Sequence, residues 1–383
     1  MNLLKQSGKW VAVSVTAVGI IASIAGCGTS AGNNSAGNTS SGSTGASNSA
    51  AASSGNVTLN ETGSSLLYPL FNNQWIAAYQ SVDSNVKLTA ASTGSGTGIS
   101  QAIAGTVQIG ASDAYLSDAQ MKQNPNMLNI PLAISAQQIM YNLPGVTGHL
   151  KLTGDILGQI YLGKIKYWDD AAITALNPGV KLPHQQIVPV RRTDGSGDTF
   201  LFTQFLSDTN KTWGSSSGPQ FGTSISWPAL SSLVGANGND GVVTQLANTK
   251  YSVGYVGISW LDKGTQKGLG YAQLQNKAGN FVLPTQQNIQ AAASSMVSQV
   301  PTDERISLIY APGANSYPII NFEYAIINKQ QSAGTASALK KFLTWAIDPK
   351  GGDSSQYMTP VHFLPLPSSV APKSQAQINQ IGG

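Results

Sequence analysis

The sequence predicts an α/β protein with largely parallel sheets. Two observations carry this: short apolar strand patterns alternate with helical ones from residue 57 onward, and three Gly/Ser-rich loops fall where a strand pattern gives way to a helical one.

In chain order, Val57-Thr58-Leu59-Asn60 reads as a short strand, residues 66–79 as a helix with apolar side chains near helical spacing, and residues 86–90 as a second strand. Residues 99–104 look helical, and 107–111 look like a buried strand ending at Ser112-Asp113. A helix follows at 152–161, a strand at 187–190, a helix at 199–206 and a strand at 319–327. In such sheets ligands sit beyond the carboxyl ends of strands, in the loops that open the next helix.

The first thirty residues speak for the compartment. Lys5 and Lys9 precede an apolar stretch at 10–25, broken only by two serines and a threonine, which is a signal-peptide layout. It ends in Ile24-Ala25-Gly26-Cys27, which resembles the lipobox of bacterial lipoproteins, where the Cys is acylated and begins the mature chain. Residues 1–26 are thus expected to be the signal peptide and 27–55 the acylated Cys27 with a Gly/Ser/Asn linker too polar to fold. Extracytoplasmic anchoring to the cell membrane follows. Cys27 is the one cysteine, so no other thiol remains for disulfides, metals or catalysis. No later apolar run is long enough to span a bilayer.

The 21 basic and 17 acidic residues are scattered, without the Lys/Arg blocks interleaved with aromatics that mark a nucleic-acid partner. Charged residues make up only 10% of the chain, against roughly 25% in ordinary soluble domains, a composition suited to an acidic medium.

The three loops are Thr62-Gly63-Ser64-Ser65, Thr93-Gly94-Ser95-Gly96 and Asp194-Gly195-Ser196-Gly197. Each offers a hydroxyl at a helix start, where unpaired N–H groups and the helix dipole favour an anion. Any one alone also fits an ordinary N-cap after a glycine turn. Together they suggest convergence on one anion. Arg191-Arg192 leads a strand into the third loop, and Arg192 held by Asp194 suits a tetrahedral oxyanion, although either arginine singly also fits a surface ion pair. Asp113, at the end of an apolar strand, would repel most anions. Phosphate resolves the conflict, because it keeps a proton that an ionised Asp can accept, whereas sulfate has none.

Two other motifs fail. Gly158 to Lys164 begins like a Walker A loop, but Ile165 replaces the Mg²⁺-binding hydroxyl. Gly94-Ser95-Gly96-Thr97-Gly98 lacks the third-glycine spacing of a dinucleotide loop. His149, His184 and His362 are isolated, so neither a metal cluster nor a base beside Ser196 is expected. No catalytic residue, metal or cofactor is expected.

The chain resembles the PstS-type periplasmic phosphate-binding proteins of high-affinity phosphate ABC transporters. The resemblance spans most of residues 56–367 and rests on Gly63-Ser64-Ser65-Leu66-Leu67-Tyr68-Pro69, Gly94-Ser95-Gly96, Gly110-Ala111-Ser112-Asp113-Ala114, the segments 163–170 and 192–200, and Gly254-Tyr255-Val256. It implies a two-lobed periplasmic-binding-protein fold of type II, two mixed sheets flanked by helices and joined by two crossing strands. Lobe 1 would be 57–135 plus 317–383, and lobe 2 136–316. Ser65 with Leu66, Leu67 and Tyr68 would bind mainly through backbone N–H groups, Ser95 would donate, Asp113 would accept the phosphate proton, and Arg192 would donate while held by Asp194. Ser196, Gly197 and Asp198 would close the site from the other lobe. The implied work is capture of inorganic phosphate and delivery to transmembrane permease subunits by a monomer that is not an enzyme. The alternatives are a secreted phosphatase or phosphoesterase, or a phosphate-sensing or adhesion protein on the same fold.

Two departures stand out. Leu66-Leu67 replaces a hydroxyl residue found in some members, and Asp198 stands where others place Thr. A second carboxylate at 198 would accept a second proton, favouring dihydrogen phosphate, or would itself be protonated.

Overall fold

The computed structural model describes residues 56–382, so the expected leader, the Cys27 acylation and the linker up to residue 55 lie outside the described residues. The β-branched start at Val57 forms the strand Val57–Gly63, with Val86–Thr89 and Ile109–Ser112 parallel on either side. Between these strands run a helical stretch, Tyr68–Leu70, Phe71–Trp75 and Ile76–Val82, and the helix Ser95–Ile103. The stretch begins two residues after the expected start, and a π-helical turn at Phe71–Trp75 interrupts it. That turn places Phe71 and Trp75 5.0 Å apart and Trp75 6.0 Å from Phe342, edge to face, in an aromatic cluster under the helix Ala333–Ala346.

The strand Met127–Tyr141 is buried at all 15 positions. Residues 127–136 pair antiparallel with Ile320–Asn328, and 137–141 pair antiparallel with Ser252–Gly257. Beyond it Ser252–Gly257, Val188–Arg192 and Val234–Ala236 lie parallel. The two expected sheets join through this strand as halves of one mixed nine-stranded sheet, in which parallel pairing is confined to Val57–Gly63 with its two neighbours and Val188–Arg192 with its two, while every pairing of Met127–Tyr141 and Ile320–Asn328 is antiparallel. An apolar segment covered on both faces has no reason to break, so one strand serves both halves. Beside it, Gln137 N–H donates to Ile319 O at 3.0 Å, where the returning chain crosses.

The helix expected at 152–161 begins at Gly154 instead. Thr153 caps it, accepting from Ile156 N–H at 3.1 Å, and this leaves Lys151–Leu152 to join a separate three-stranded sheet. The helix expected at 199–206 extends over Gly197–Thr209. Gly63 and Ser112 end two strands that run parallel to each other, and Arg192 ends one that runs the opposite way in the other half of the sheet, so the loops that follow them face each other.

Candidate functional site

The three loops do converge. Gly94 has φ +91°, and a Cβ there would lie 2.5 Å from Asp194 Oδ2; Gly96 N–H donates to Gly195 O at 2.8 Å. A Cβ on Gly197 would lie 2.4 Å from Asp113 Oδ2, so the start of the helix Gly197–Thr209 abuts the Asp113 carboxyl group. Only glycine allows either approach.

Asp113 is buried. Ser64 Oγ donates to its Oδ1, Ser95 Oγ lies 3.4 Å from its Oδ2, and its N–H donates to Ser95 Oγ at 3.3 Å. Burial pushes its pKa well above the usual carboxylate range, the charges of Glu323 and Asp198 add to the rise, and the Ser64 hydrogen bond opposes it.

Arg192 is equally buried and is gripped from two sides. Asp194 takes Nε at 2.8 Å and NH2 at 2.5 Å, and Asp198 takes NH1 at 2.5 Å. Three of its five N–H bonds are thereby spent, which fixes the plane of the guanidinium and leaves two donors. Burial alone would lower the Arg192 pKa, but the hydrogen bonding it donates to Asp194 and the negative charges of Asp198 and Asp194 outweigh it and push it up. For Asp194 burial acts upward instead and is outweighed by Arg192, which holds it below the usual range.

Two expectations are corrected. Asp198 does not offer a free carboxylate for a second ligand proton: besides Arg192, Asn239 Nδ2 donates to its Oδ2 at 2.7 Å and Gln137 Nε2 to its Oδ1 at 3.0 Å. Three donors face it, so its carboxylate orients Arg192, and its N–H in the first helical turn is the group without an intrahelical acceptor. At the first loop, the N–H groups of Leu66 and Leu67 donate to Ser64 Oγ at 3.1 and 2.9 Å, and Tyr68 N–H to Ser64 O at 3.0 Å. With no hydroxyl residue at 66 or 67, Ser64 takes these amides itself, instead of leaving them to a ligand.

Ser65 is in place but differently employed: its Oγ accepts from Asn239 N–H and Nδ2 at 3.1 and 2.9 Å, and its carbonyl from Trp260 Nε1 at 2.8 Å. Ser196 caps its helix, accepting from Thr199 N–H at 3.2 Å, while Tyr255 Oη accepts Arg192 N–H at 2.9 Å and meets Thr199 Oγ1 at 2.8 Å. Asn239, Gln137, Glu323 and Tyr255 had no assigned role from sequence. Asn237-Gly238-Asn239-Asp240 carried a signal, but only that of a helix start.

The arrangement sets a buried carboxyl group among hydroxyl, backbone N–H and guanidinium groups. Residues 39–350 match the PBP superfamily domain. The phosphate-binding protein PstS of Pasteurella multocida is 36% identical over 322 residues, covering 84% of this chain and 89% of that protein. PstS of Methanocaldococcus jannaschii is 33% identical over 346 residues, covering 85% and 86%. In fold the chain is similar to a high affinity periplasmic phosphate-binding protein, PfluDING, solved bound with phosphate, at TM-score 0.66 and 20% identity over 84% of this chain and 93% of that one. This likeness over most of both lengths places the chain in the PstS family of phosphate-binding proteins.

Proposed function

We propose that this chain captures inorganic phosphate outside a cell membrane and delivers it to the transmembrane permease subunits of a phosphate ABC transporter. The observation that carries the reading is the meeting of Asp113 with the start of the helix Gly197–Thr209: an acceptor held against unpaired N–H groups suits an anion that still has a proton to give. Arg192, oriented by Asp194 and Asp198, supplies the positive charge. Ser95, Ser196, and the N–H groups of Gly197 and Asp198 supply further donors, with the Ser65 hydroxyl at the first loop. Two lobes, 57–135 plus 317–383 and 136–316, close over the ligand.

The family relatives are named as binding proteins, and the reading extends that to this chain: it binds without catalysis. Each histidine is employed away from Ser196, His184 with Asp169 at 2.9 Å, His362 with Asp262 at 3.0 Å and His149 with Tyr271 O at 2.9 Å. A signal peptide at 1–26 and an acylated Cys27 would tether the monomer to the membrane through the linker.

Calorimetry with phosphate, sulfate and arsenate on the wild type and on Asp113→Asn tests the reading. Phosphate should bind the wild type far more tightly than sulfate, and Asp113→Asn should erase most of that preference, a change of roughly a hundredfold. Tight sulfate binding by the wild type overturns it.

A further inference from the structure

Behind Asp113 stands a second carboxyl group. Glu323 is fully buried in the strand Ile320–Asn328, where the pairing shifts register: Glu323 lies opposite Ala133 and Tyr324 opposite Pro131, so Leu132 is the extra residue of a bulge. Bulges re-aim side chains. On its other edge Tyr324 pairs with Ser112, the residue before Asp113, and the Glu323 and Asp113 carboxyl groups come into hydrogen-bond contact. Ser135 Oγ donates to Glu323 Oε1 at 2.5 Å and Asn321 Nδ2 at 3.0 Å, whereas Oε2 has no donor among the described residues.

Two carboxyl groups in contact bond to each other only by sharing a proton. The charged groups around them are Asp198, from the start of the helix Gly197–Thr209, and Arg192 on the far side of Asp198. Asp198 disfavours a second negative charge on the pair. No cation sits against Asp113 or Glu323 to offset it among the described residues.

We propose that Asp113 and Glu323 form one carboxyl pair holding a single proton, and that Glu323, a positioning residue, thereby sets the pH range over which the site accepts phosphate. This rests on the phosphate reading above. With the proton lying between the two groups, Asp113 keeps an acceptor oxygen for the ligand and the pair carries one negative charge. Once that proton leaves, the pair carries two, and an incoming phosphate is repelled. Burial pushes the Glu323 pKa up to about 7, so the change falls near neutrality.

The test is the phosphate Kd of wild type and Glu323→Gln, measured by calorimetry from about pH 5 to about pH 9. Phosphate's own ionisation affects both proteins alike and cancels in the ratio of the two Kd values. Above neutrality the wild type should weaken relative to Glu323→Gln by up to about tenfold per pH unit, and in buffers of different ionisation enthalpy it should take up about one proton on binding that the variant does not. A ratio that is flat with pH, with equal proton uptake, overturns the proposal while leaving the phosphate reading intact. If neither protein binds phosphate at any pH, both readings fall. Should circular dichroism show that Glu323→Gln does not fold, Ser135→Ala serves instead. Loss of a donor to Glu323 strengthens its hold on the proton, so the alkaline weakening should move to higher pH; an unmoved profile overturns the proposal.

Discussion

Asn239 gives both its backbone N–H and its Nδ2 to the one hydroxyl of Ser65, at 3.1 and 2.9 Å, and the same Nδ2 lies 2.7 Å from Asp198 Oδ2. It joins the first loop to the carboxylate that orients Arg192. Asn239→Ala should strand both partners and weaken phosphate binding by about tenfold to a hundredfold, corresponding to about 1–3 kcal/mol. Stopped-flow measurement should place most of the loss in the dissociation rate.

Arg192→Lys should fail as a conservative change. A lysine cannot grip Asp194 along one edge and reach Asp198 from the other, and it leaves buried carboxylates unpaired. Affinity should fall by at least about a hundredfold, and unfolding by denaturant should show a loss of about 3–5 kcal/mol.

Gly197→Ala should act on closure and not on folding. The added methyl would meet the Asp113 carboxyl group at 2.4–2.6 Å. Phosphate affinity should drop by more than about tenfold, with a thermal midpoint in the absence of phosphate close to wild type.

Stability should rise in acid. Glu304 and Asp353 are buried, and burial pushes each carboxyl up to about 8. A carboxyl raised in the folded state contributes stability that is complete below its unfolded value of 4.5 for Glu304, or 3.8 for Asp353, and is lost as pH rises through about 8. The melting temperature of the phosphate-free protein should therefore climb by several degrees from alkaline to mildly acidic pH. Glu304→Gln should flatten part of that slope, because the amide still reaches Ser374 Oγ and Gln377 Nε2, now 2.9 and 2.6 Å from the carboxyl oxygens, without titrating.

The parts of the site that local sequence revealed are those held by short-range chemistry. Arg192 and Asp194 lie two residues apart at a strand end, and the glycine-hydroxyl loops carry helix-start chemistry wherever they occur. Asp113 was legible because a carboxylate closing an apolar strand demands a reason. Asn239, 174 residues from Ser65, and Gln137, 61 from Asp198, could not be found this way, since their partners come together only through the fold. The role of Asp198 was misread for the same cause: its neighbours in sequence are small and polar, whereas its neighbours in space are three donors. The single mixed sheet was hidden too, because residues 127–141 look like an ordinary buried run until their two pairing partners are known.

That shared strand governs how the molecule can flex. A chain that changes partner between Ala136 and Gln137 without a break has no loop to act as a pivot, so any rotation of one half against the other must be stored as added twist along Met127–Tyr141 and the chain beside it at residue 319. Such a joint behaves as a torsion bar with a preferred angle.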